Sequence, residues 1–434
     1  MMAFPTHAFP AGLPLFPPRD AVLDYLRAYA ADLRDMIAFN ERVVAVSHAP
    51  PSTATPTADA AGNGRAGKWT VWLESGVRQQ YDAVVVANGH YSIPHIPDYP
   101  GLRAAATSWP PSPSPPPPAQ GLGQRGVEEE GKGGGDGDGG RRQGRRGCMI
   151  EHARNFRSPQ AYAGKRVLVV GNYVSANDIA RQLLPYVSLP LFQSARSTAS
   201  FPAWPAGQVV VLPAIERFLA EPGHLRFADG SELSGGVDVI LFATGYLYSF
   251  PFLSRAPDGS REGEGEGEGE GAGAGAGGGE RATGTWQHLF SASNPTLAFI
   301  GLPTRVIPFP LAQSQAAVVA RVWSGRVQLP PPDEMRAWEH TRLEAVSHRA
   351  RGFHILGWPL DADYMDFLET LADSAGRGGG IEPARWRGRE RWMRSLVPQI
   401  RARVNDALGR GEAVETLEHV GLVYDGGREV NGLS

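Results

Sequence analysis

The sequence predicts an α/β fold with two dinucleotide-binding, Rossmann-like domains. Segments 81–97 and 237–253 each contain an aspartate, a short apolar run and Ala-x-Gly followed by His or Tyr. Continuous apolar runs are typical of buried parallel strands. A glycine just past such a strand lets a ligand approach the backbone closely. A third apolar run, Val167–Val170, ends at Gly171 and is followed by a helical pattern, which predicts a phosphate-binding turn.

The remaining predicted elements follow from local patterns. Residues 17–33 have apolar residues at helical spacing, and residues 37–46 form a β-type apolar run. Within residues 1–80 we find no strand, glycine-rich turn and helix in succession. The first domain is therefore expected to lack the βαβ unit that would open it.

The predicted phosphate turn departs from the usual G-x-G-x-x-G pattern. Its three key positions are Gly171, Tyr173 and Ala176. Gly171 supplies the sharp bend, and Ala176 substitutes for the glycine that allows the helix to pack on the sheet. Tyr173 must direct its side chain away from the phosphates, while the helix amides and the Ser175 hydroxyl attract the anion.

The segment after this turn predicts the choice of nicotinamide cofactor. A strand is expected over 189–197; it carries no acidic residue and ends with Arg196 and Ser197. An acidic residue would favour a free ribose hydroxyl, whereas an arginine accommodates a 2′-phosphate. The pattern therefore favours NADPH over NADH. The alternative is that Arg196 is a solvated surface charge.

Composition excludes several classes of protein. The 434 residues carry a formal net charge of −3, which gives no reason to expect a nucleic-acid partner. A single cysteine, Cys148, excludes an internal disulfide and a thiolate metal cluster. No apolar run approaches the roughly 20 residues needed to span a bilayer, and the proline-broken N-terminus has no basic leader. A soluble, cytoplasmic protein is expected.

Two low-complexity tracts interrupt the globular composition. Residues 110–147 are rich in Pro, Gly and charge, and residues 255–284 contain Gly-Glu and Gly-Ala repeats. Neither has enough apolar residues to offset the cost of ordering the chain, so both are predicted to be disordered. Residues 48–67 are predicted to form a surface loop.

The motifs together resemble the flavin-containing monooxygenases, in particular their fungal branch. VVGNYVSANDIARQL and LFATGYLYSFPFL carry the resemblance, and HARNFRSP places His152 and Phe156 on a family signature. That signature is incomplete, because Cys148 stands where a glycine is expected. Further blocks resemble the family in the same order: 1–30, 84–102, 294–323 and 353–364.

The resemblance implies a split FAD domain with an NADPH domain inserted into it. The FAD domain is expected to comprise a partial first segment, 1–109, and a return segment with C-terminal helices, 285–434. The NADPH domain is expected at 148–254, between an insertion at 110–147 and a loop at 255–284. Such enzymes reduce FAD with NADPH and form a flavin peroxide with dioxygen. They then oxygenate a soft nitrogen, sulfur or carbonyl centre of a small-molecule substrate. Such a reaction needs no nucleophile or acid–base triad from the protein. The histidines are therefore interpreted as structural or surface residues: His90, His95, His152 and His354.

The resemblance also implies cofactor-binding residues. Asn172, Ser175, Ala176 and Asn177 belong to the NADP phosphate turn, with Thr244 and Gly245 closing that domain, while Gly89 and His90 lie near the flavin. Residues 308–323 are predicted to form an apolar helix with Pro310 at its first position. Gln313 and Gln315 on this helix are candidate flavin contacts, the alternative being a core helix whose glutamines face solvent.

The departures from the family lead to a second expectation. The family's opening FAD-binding motif and its active-site asparagine are not found, and tract 110–147 is interpreted as an unusual insertion or a translated intron. We therefore expect exposed sheet edges and poor FAD binding by this chain, and a longer, active natural product that peptide mass spectrometry would reveal. The alternatives are a Baeyer–Villiger ketone monooxygenase and a non-catalytic NADP-binding module; a disulfide reductase is disfavoured because no cysteine pair exists.

Overall fold

The computed structural model describes residues 2–49, 67–106, 147–197, 204–233, 235–253, 279–376 and 380–426. Most of the low-complexity tracts 110–147 and 255–284, and of the loop 48–67, lies outside the described residues. No helix in the described part of the chain is long and apolar enough to cross a membrane.

The helices and strands of the described residues are numbered in chain order. The helices are α1 (Arg19–Tyr29), α2 (Leu102–Ala106), α3 (Val174–Leu183), α4 (Pro308–Trp323), α5 (Pro332–Ala345), α6 (Leu360–Asp373), α7 (Gly388–Ser395) and α8 (Val397–Gly409). The strands are β1 (Val43–Ala49), β2 (Lys68–Leu73), β3 (Arg78–Tyr81), β4 (Val84–Val86), β5 (Ile93–Pro94), β6 (Met149–His152), β7 (Val167–Val170), β8 (Leu191–Ser194), β9 (Val209–Leu212), β10 (Ile215–Phe218), β11 (Leu225–Phe227), β12 (Val239–Phe242), β13 (Tyr246–Leu247), β14 (Thr285–Trp286), β15 (Phe290–Ser291) and β16 (Leu297–Phe299).

The chain forms two compact units, one inserted into the sequence of the other. Unit 1 comprises Met1–Ile93 and Leu247–Ser434, and unit 2 comprises Pro94–Tyr246. This arrangement confirms the predicted α/β fold class with one domain split by another. The unit boundaries differ from the predicted domain boundaries. Residues 94–109 are predicted in the first domain, whereas unit 2 begins at Pro94. Residues 247–254 are predicted in the second domain, whereas unit 1 resumes at Leu247. The assignment of cofactors to these units stays a prediction.

Unit 2 is built on a parallel sheet of the doubly wound type. Its strand order is β6-β12-β7-β8-β9, and each neighbouring pair is parallel. The apolar runs at Val167–Val170 and Val239–Phe242 are fully buried adjacent strands, as their continuous apolar composition predicts. A separate antiparallel pair, β10 and β11, belongs to the same unit.

Alternate residues of this sheet pack into two different cores. Leu168 on β7 and Phe242 on β12 face a cluster that includes Phe218 and Phe227 of the β10–β11 pair. The intervening residues pack against one side of α3, whose buried residues Ala176, Ile179, Ala180 and Leu183 recur at helical spacing. Covering both faces in this way explains why the strands carry apolar residues at every position.

Unit 1 contains a four-stranded sheet with the order β14-β15-β16-β4 and a three-stranded antiparallel sheet with the order β1-β2-β3. The β4 run of segment 81–97 pairs in parallel with β16. β4 is the edge strand of this sheet within the described residues, and Val85 on it is 44% exposed. A short pair, β5 and β13, lies where the chain passes from one unit to the other.

Helix α4 lies in the main core of unit 1. Its residues Leu311, Val318 and Val319 pack with α6 residues and with Phe290 of β15. The helix begins at Pro308, two residues before the predicted first position Pro310. The correction follows from helix geometry: proline suits any position in the first turn, where the amide would have no partner inside the helix.

Two short segments of unit 1 lie outside its sheets and are held by individual hydrogen bonds. The Tyr25 hydroxyl on α1 accepts from the Phe4 amide at 2.8 Å and donates to the His7 carbonyl at 2.6 Å. Of the predicted loop 255–284, residues 279–284 belong to unit 1: Ala282 is 0% exposed, and Gly279 pairs with Tyr248.

Candidate dinucleotide-binding site

The turn after β7 has a conformation that requires glycine. Gly171 has φ +129°, and a Cβ at this position would lie 2.7 Å from the Ala243 carbonyl oxygen at the end of β12. The Gly171 amide donates to the Ser194 carbonyl at the end of β8, at 2.8 Å. The turn therefore lies between two strand ends at the point where the strand order reverses, and ligands of doubly wound sheets bind at that point.

Tyr173 occupies the middle position without strain. It is the N-cap of α3, its backbone is extended (φ −96°, ψ −176°), and its side chain is 47% exposed. An extended backbone is accessible to any residue, so this position does not require glycine. The first bond inside the helix runs from the Asn177 amide to the Tyr173 carbonyl at 3.0 Å, and no side chain caps the helix. The amides of the first turn are thus oriented to attract an anion.

Three side-chain amides hold the turn. Gln193 on β8 is 0% exposed, and its Nε2 donates to the Gly171 carbonyl at 2.9 Å and to Asn177 Oδ1 at 2.8 Å. Asn177 Nδ2 donates to the Asn172 carbonyl at 3.1 Å, and Asn172 Nδ2 donates to the Ser197 carbonyl at 2.5 Å. The turn after β7 is thereby connected to the segment that follows β8. The sequence analysis missed Gln193, because one polar residue in an apolar strand carries no recognisable motif.

The predicted helix residues occupy two environments. Ser175 is exposed in the first turn of α3, where its hydroxyl is accessible. Ala176 is 0% exposed, and a Cβ on Gly171 would lie 3.5 Å from its methyl group. A larger residue at position 176 would therefore press against the turn, which is the physical role expected of a small residue there.

Arg196 and Ser197 follow β8 and are both exposed. The Arg196 charge acts on Tyr99, whose pKa is raised by burial and partly lowered again by the nearby guanidinium. Because the ends of parallel strands meet at one edge of a sheet, Arg196 and the turn after β7 lie at the same edge. The structure thus brings together, in unit 2, the residues from which the sequence predicts NADPH binding.

Thr244 and Gly245, after β12, form hydrogen bonds with other residues of unit 2. The Thr244 hydroxyl donates to the His95 carbonyl, and the Gly245 carbonyl accepts from the His95 amide at 2.9 Å. His152 Nδ1 accepts from the Arg154 amide at 3.0 Å, so its Nε2–H donates to the Gly245 carbonyl, also at 3.0 Å. Burial lowers the pKa of His152 below its usual value, which keeps the ring neutral in this role.

Gly89 and His90 follow β4 in unit 1. Gly89 has φ +71°, which favours glycine, and nothing lies within 4 Å of the position of a Cβ. Both ring nitrogens of His90 are buried, and neither has a hydrogen bond of good geometry. Burial lowers the pKa of His90, and a weak interaction with the Gly301 backbone opposes that effect. An imidazole whose hydrogen bonds are incompletely satisfied is a candidate for contact with a ligand.

Gln313 and Gln315 on α4 are buried, so the alternative that they face solvent is wrong. Gln315 Oε1 accepts from the Gly301 amide at 2.9 Å, and its Nε2 donates to the Tyr364 hydroxyl at 3.1 Å. Gln313 Nε2 donates to the Glu382 carbonyl at 2.9 Å, while its Oε1 is buried without a partner. The reason is that α4 packs between elements of the core on several sides. Both amides act inside unit 1.

A buried pair of histidines also escaped the sequence analysis. His288 and His354 are 2% and 1% exposed, and their Nδ1 atoms lie 2.9 Å apart. The Ala282 amide donates to His354 Nε2 at 3.1 Å, so the proton of His354 is on Nδ1 and is donated to His288. Burial lowers the pKa of His288 to about 3 and that of His354 well below its usual value. Residues 66 positions apart offer no spacing from which such a pair could be inferred.

Large aromatic residues of the two units lie in different environments. Tyr248 and Phe250 are 8% and 2% exposed, and they line a cavity of about 350 Å³ together with Arg281. Trp204 is half-buried in unit 2 beneath the Arg181 guanidinium, and Trp358 is 41% exposed. Tyr248 and Phe250 therefore belong both to the core of unit 1 and to a cavity wall.

Titratable groups elsewhere do not form a metal centre. Within the described ranges, no group of three or more His, Cys, Asp or Glu side chains is arranged to hold a metal ion. Burial raises the pKa of Cys148 to about 12, so this residue is a thiol at neutral pH.

Comparison with known families identifies related proteins. A model of the FMO-like family, flavin-binding monooxygenase-like proteins, matches residues 1–108. The chain is 29% identical over 332 residues, 74% of its length, to flavin-containing monooxygenase FMO GS-OX-like 4 of Arabidopsis thaliana. It is 26% identical over 419 residues, 88% of its length, to flavin-containing monooxygenase iboF of the fungus Amanita muscaria. These matches confirm the predicted resemblance.

Solved structures show the same fold. S-allyl-L-cysteine S-oxygenase from Allium sativum aligns with a TM-score of 0.64 and 23% identity, covering 96% of this chain and 79% of that protein. Tmm from Pelagibacter aligns with a TM-score of 0.56 and 20% identity, covering 85% of this chain and 66% of that protein. The chain spans 57% of the length of the first Arabidopsis relative and 63% of a second, FMO GS-OX-like 2.

Proposed function

We propose that this chain, which resembles the flavin-containing monooxygenases, acts in an FAD- and NADPH-dependent monooxygenase that oxygenates a soft nitrogen or sulfur nucleophile. The observation that carries the proposal is the edge of the unit 2 sheet, where the Gly171 turn, the start of α3 and Arg196 lie at the reversal of strand order. Relatives named flavin-containing monooxygenases support it over most of the chain.

Unit 2 fits a nicotinamide dinucleotide. The amides of the first turn of α3 and the Ser175 hydroxyl bind the pyrophosphate, and Tyr173 projects outward without blocking them. The Arg196 guanidinium binds the 2′-phosphate, for which a planar, permanently charged donor is well suited. Asn172 and Asn177 hold the turn, because both donate to backbone carbonyls around it.

Unit 1 offers polar groups that fit a flavin. His90 has two buried nitrogens without a hydrogen bond of good geometry, and Gly89 before it leaves open space where a side chain would be. His90 is neutral at pH 7 because burial lowers its pKa, so it donates one hydrogen bond and accepts another without adding charge. Gln315 acts one step away, since it fixes the Gly301 amide in the segment that lies against the His90 ring.

The chemistry of the reaction would come from the bound cofactors, with NADPH as the hydride donor and FAD as the group that activates dioxygen. Residues of this chain bind and orient them. In unit 2, Thr244 and Gly245 both hydrogen-bond His95, and their part in NADP binding stays a prediction. The preference for a nitrogen or sulfur substrate rests on the family resemblance.

The test is purification of the native gene product followed by a flavin absorbance spectrum. The proposal predicts a yellow protein that consumes oxygen when NADPH and a thioether or tertiary amine are added, with one oxygen incorporated into the product. NADH should support a much lower rate. Absence of flavin together with absence of oxygen uptake would contradict the proposal.

The same preparation separates the two alternatives. Lactone or ester products from ketones, without sulfoxide or N-oxide formation, would assign a Baeyer–Villiger activity. A colourless protein that binds NADP⁺ would assign a non-catalytic binding module. Both outcomes leave the nicotinamide site in unit 2 in place, so the dinucleotide titration described below is an independent test.

A further inference from the structure

Gln193 is a polar side chain in a position that packing alone would give to an apolar residue. It lies on the four-residue strand β8, all of which is buried, and it faces the same side as Leu191, which packs into the α3 core. Burying an amide costs free energy unless its hydrogen bonds are satisfied. Gln193 Oε1 is buried without a partner in the structure, so only the Nε2 side of this amide offsets the cost of its burial.

The Gln193 amide nitrogen is directed at the phosphate turn. It donates both hydrogens, to the Gly171 carbonyl at 2.9 Å and to Asn177 Oδ1 at 2.8 Å. The first bond fixes the peptide that follows the bend, and the second fixes the side chain of a first-turn helix residue. Asn177 in turn donates to the Asn172 carbonyl at 3.1 Å.

We infer that Gln193 is a positioning residue for the nicotinamide cofactor. This inference rests on the proposed function. Gln193 holds the turn in its binding conformation before the dinucleotide binds. Gln193 and Asn177 together constrain the two peptides that follow the bend, at the carbonyls of Gly171 and Asn172. A preformed turn lowers the ordering cost of binding, and that cost is subtracted directly from affinity.

Gln193 and Arg196 should control different parts of dinucleotide binding. Gln193 acts through the turn on the pyrophosphate, which NADP⁺ and NAD⁺ share. Arg196 acts on the 2′-phosphate, which only NADP⁺ carries. Loss of Gln193 should therefore weaken both dinucleotides by the same factor, whereas loss of Arg196 should change their ratio.

The experiment compares Gln193→Met with the wild type and with Gln182→Met, a matched change at an exposed position of α3. Methionine keeps the volume and removes both donors. Dissociation constants for NADP⁺ and NAD⁺ are measured by titration, and folding is followed by urea unfolding. We expect Q193M to bind both dinucleotides about tenfold more weakly, as expected for one to two lost hydrogen bonds. Q182M should bind within about twofold of the wild type.

A double-mutant cycle with Asn177→Ala tests whether the two amides act as a unit. In that case the double variant loses little more affinity than the weaker-binding single variant. A Q193M protein that folds and binds both dinucleotides as the wild type does would overturn the inference while the proposed function stands. Additive losses in the cycle would also overturn it.

Should Q193M not fold, Asn177→Ala is the deciding variant, because it removes the acceptor of Gln193. Unchanged dinucleotide binding by this variant would overturn the inference. A wild type that binds neither dinucleotide would instead remove the proposed function itself.

Discussion

At the residue scale, the turn after β7 shows how one glycine can be enough. Gly171 needs to be glycine because its φ is positive and because the Ala243 carbonyl occupies the space of a Cβ. Tyr173 does not need to be glycine because its backbone is extended and its side chain faces outward. Both requirements of the turn, conformation and clearance, thus fall on Gly171 in this chain.

Substituting Gly171 tests this account. Gly171→Ala should lower the free energy of unfolding by about 2–4 kcal/mol, because it adds backbone strain and a clash with the Ala243 carbonyl. Gly164→Ala is the matched control, since Gly164 has φ +67° but no atom within 4 Å of a Cβ. It should cost only about 1 kcal/mol. Equal losses in urea unfolding would show that clearance plays no part.

The His288–His354 pair makes stability depend on pH. The pKa of His288 is about 3 in the folded protein and close to 6.5 when unfolded, so the unfolded state binds more protons between these values. Stability should therefore fall as the pH drops below 6.5, by about 2 kcal/mol between pH 7 and pH 5 for this residue. His288→Asn removes the titrating group and suits φ +53°. Urea unfolding at both pH values should show a smaller decrease for this variant.

The same pH series contains its own check. A decrease between pH 7 and pH 5 that is identical in His288→Asn and in the wild type would mean that the buried pair does not control acid sensitivity.

At the scale of elements, α4 is held by side-chain amides as well as by apolar packing. Gln315 links the Gly301 amide to the Tyr364 hydroxyl on α6. Gln315→Met keeps the volume but leaves the Gly301 amide without its acceptor. We expect the free energy of unfolding to fall by about 1–3 kcal/mol, the usual cost of a buried donor without a partner. Gln328→Met, at an exposed position, should change it by less than about 0.5 kcal/mol.

Helices α6 and α7 are joined by ion pairs of unequal burial. Arg394 Nε donates to Asp361 Oδ2 at 2.5 Å, and the two side chains are 11% and 1% exposed. Arg387 on the same segment pairs with Glu369 but is 59% exposed. Arg394→Met should cost about 3 kcal/mol because it leaves a buried carboxylate unpaired, whereas Arg387→Met should cost less than about 1 kcal/mol. Chemical denaturation of the two variants measures the difference, and equal costs would contradict it.

Local patterns predicted the elements better than the contacts between them. The strands at Val167–Val170 and Val239–Phe242 and the helices α1, α3 and α4 follow from periodicity and from continuous apolar runs. Gln193, the burial of Gln313 and the His288–His354 pair were not predictable, because each depends on residues that are distant in sequence. Polar side chains inside a core are recognised only when the surrounding elements are in place.

At the scale of the whole molecule, the chain combines two compact units whose sequence order is nested. In unit 2 the Gly171 turn, the start of α3 and Arg196, from which NADPH binding is proposed, lie at one edge of the parallel sheet. Unit 1 carries His90, whose buried ring nitrogens have no hydrogen bond of good geometry, and a helix held by glutamines. The proposed reaction assigns the nicotinamide to unit 2 and the flavin to unit 1, and the first assignment is open to direct measurement without turnover.

Calorimetric titration of the native protein with NADP⁺ and NAD⁺, repeated with Arg196→Gln, is that measurement. The account predicts binding of NADP⁺ at least about tenfold tighter than that of NAD⁺ in the wild type, since a charge-assisted contact to phosphate contributes about 1.5–3 kcal/mol. In the variant the two affinities should become similar through weaker NADP⁺ binding alone. No detectable binding of either dinucleotide, or an unchanged preference after the substitution, would contradict the account.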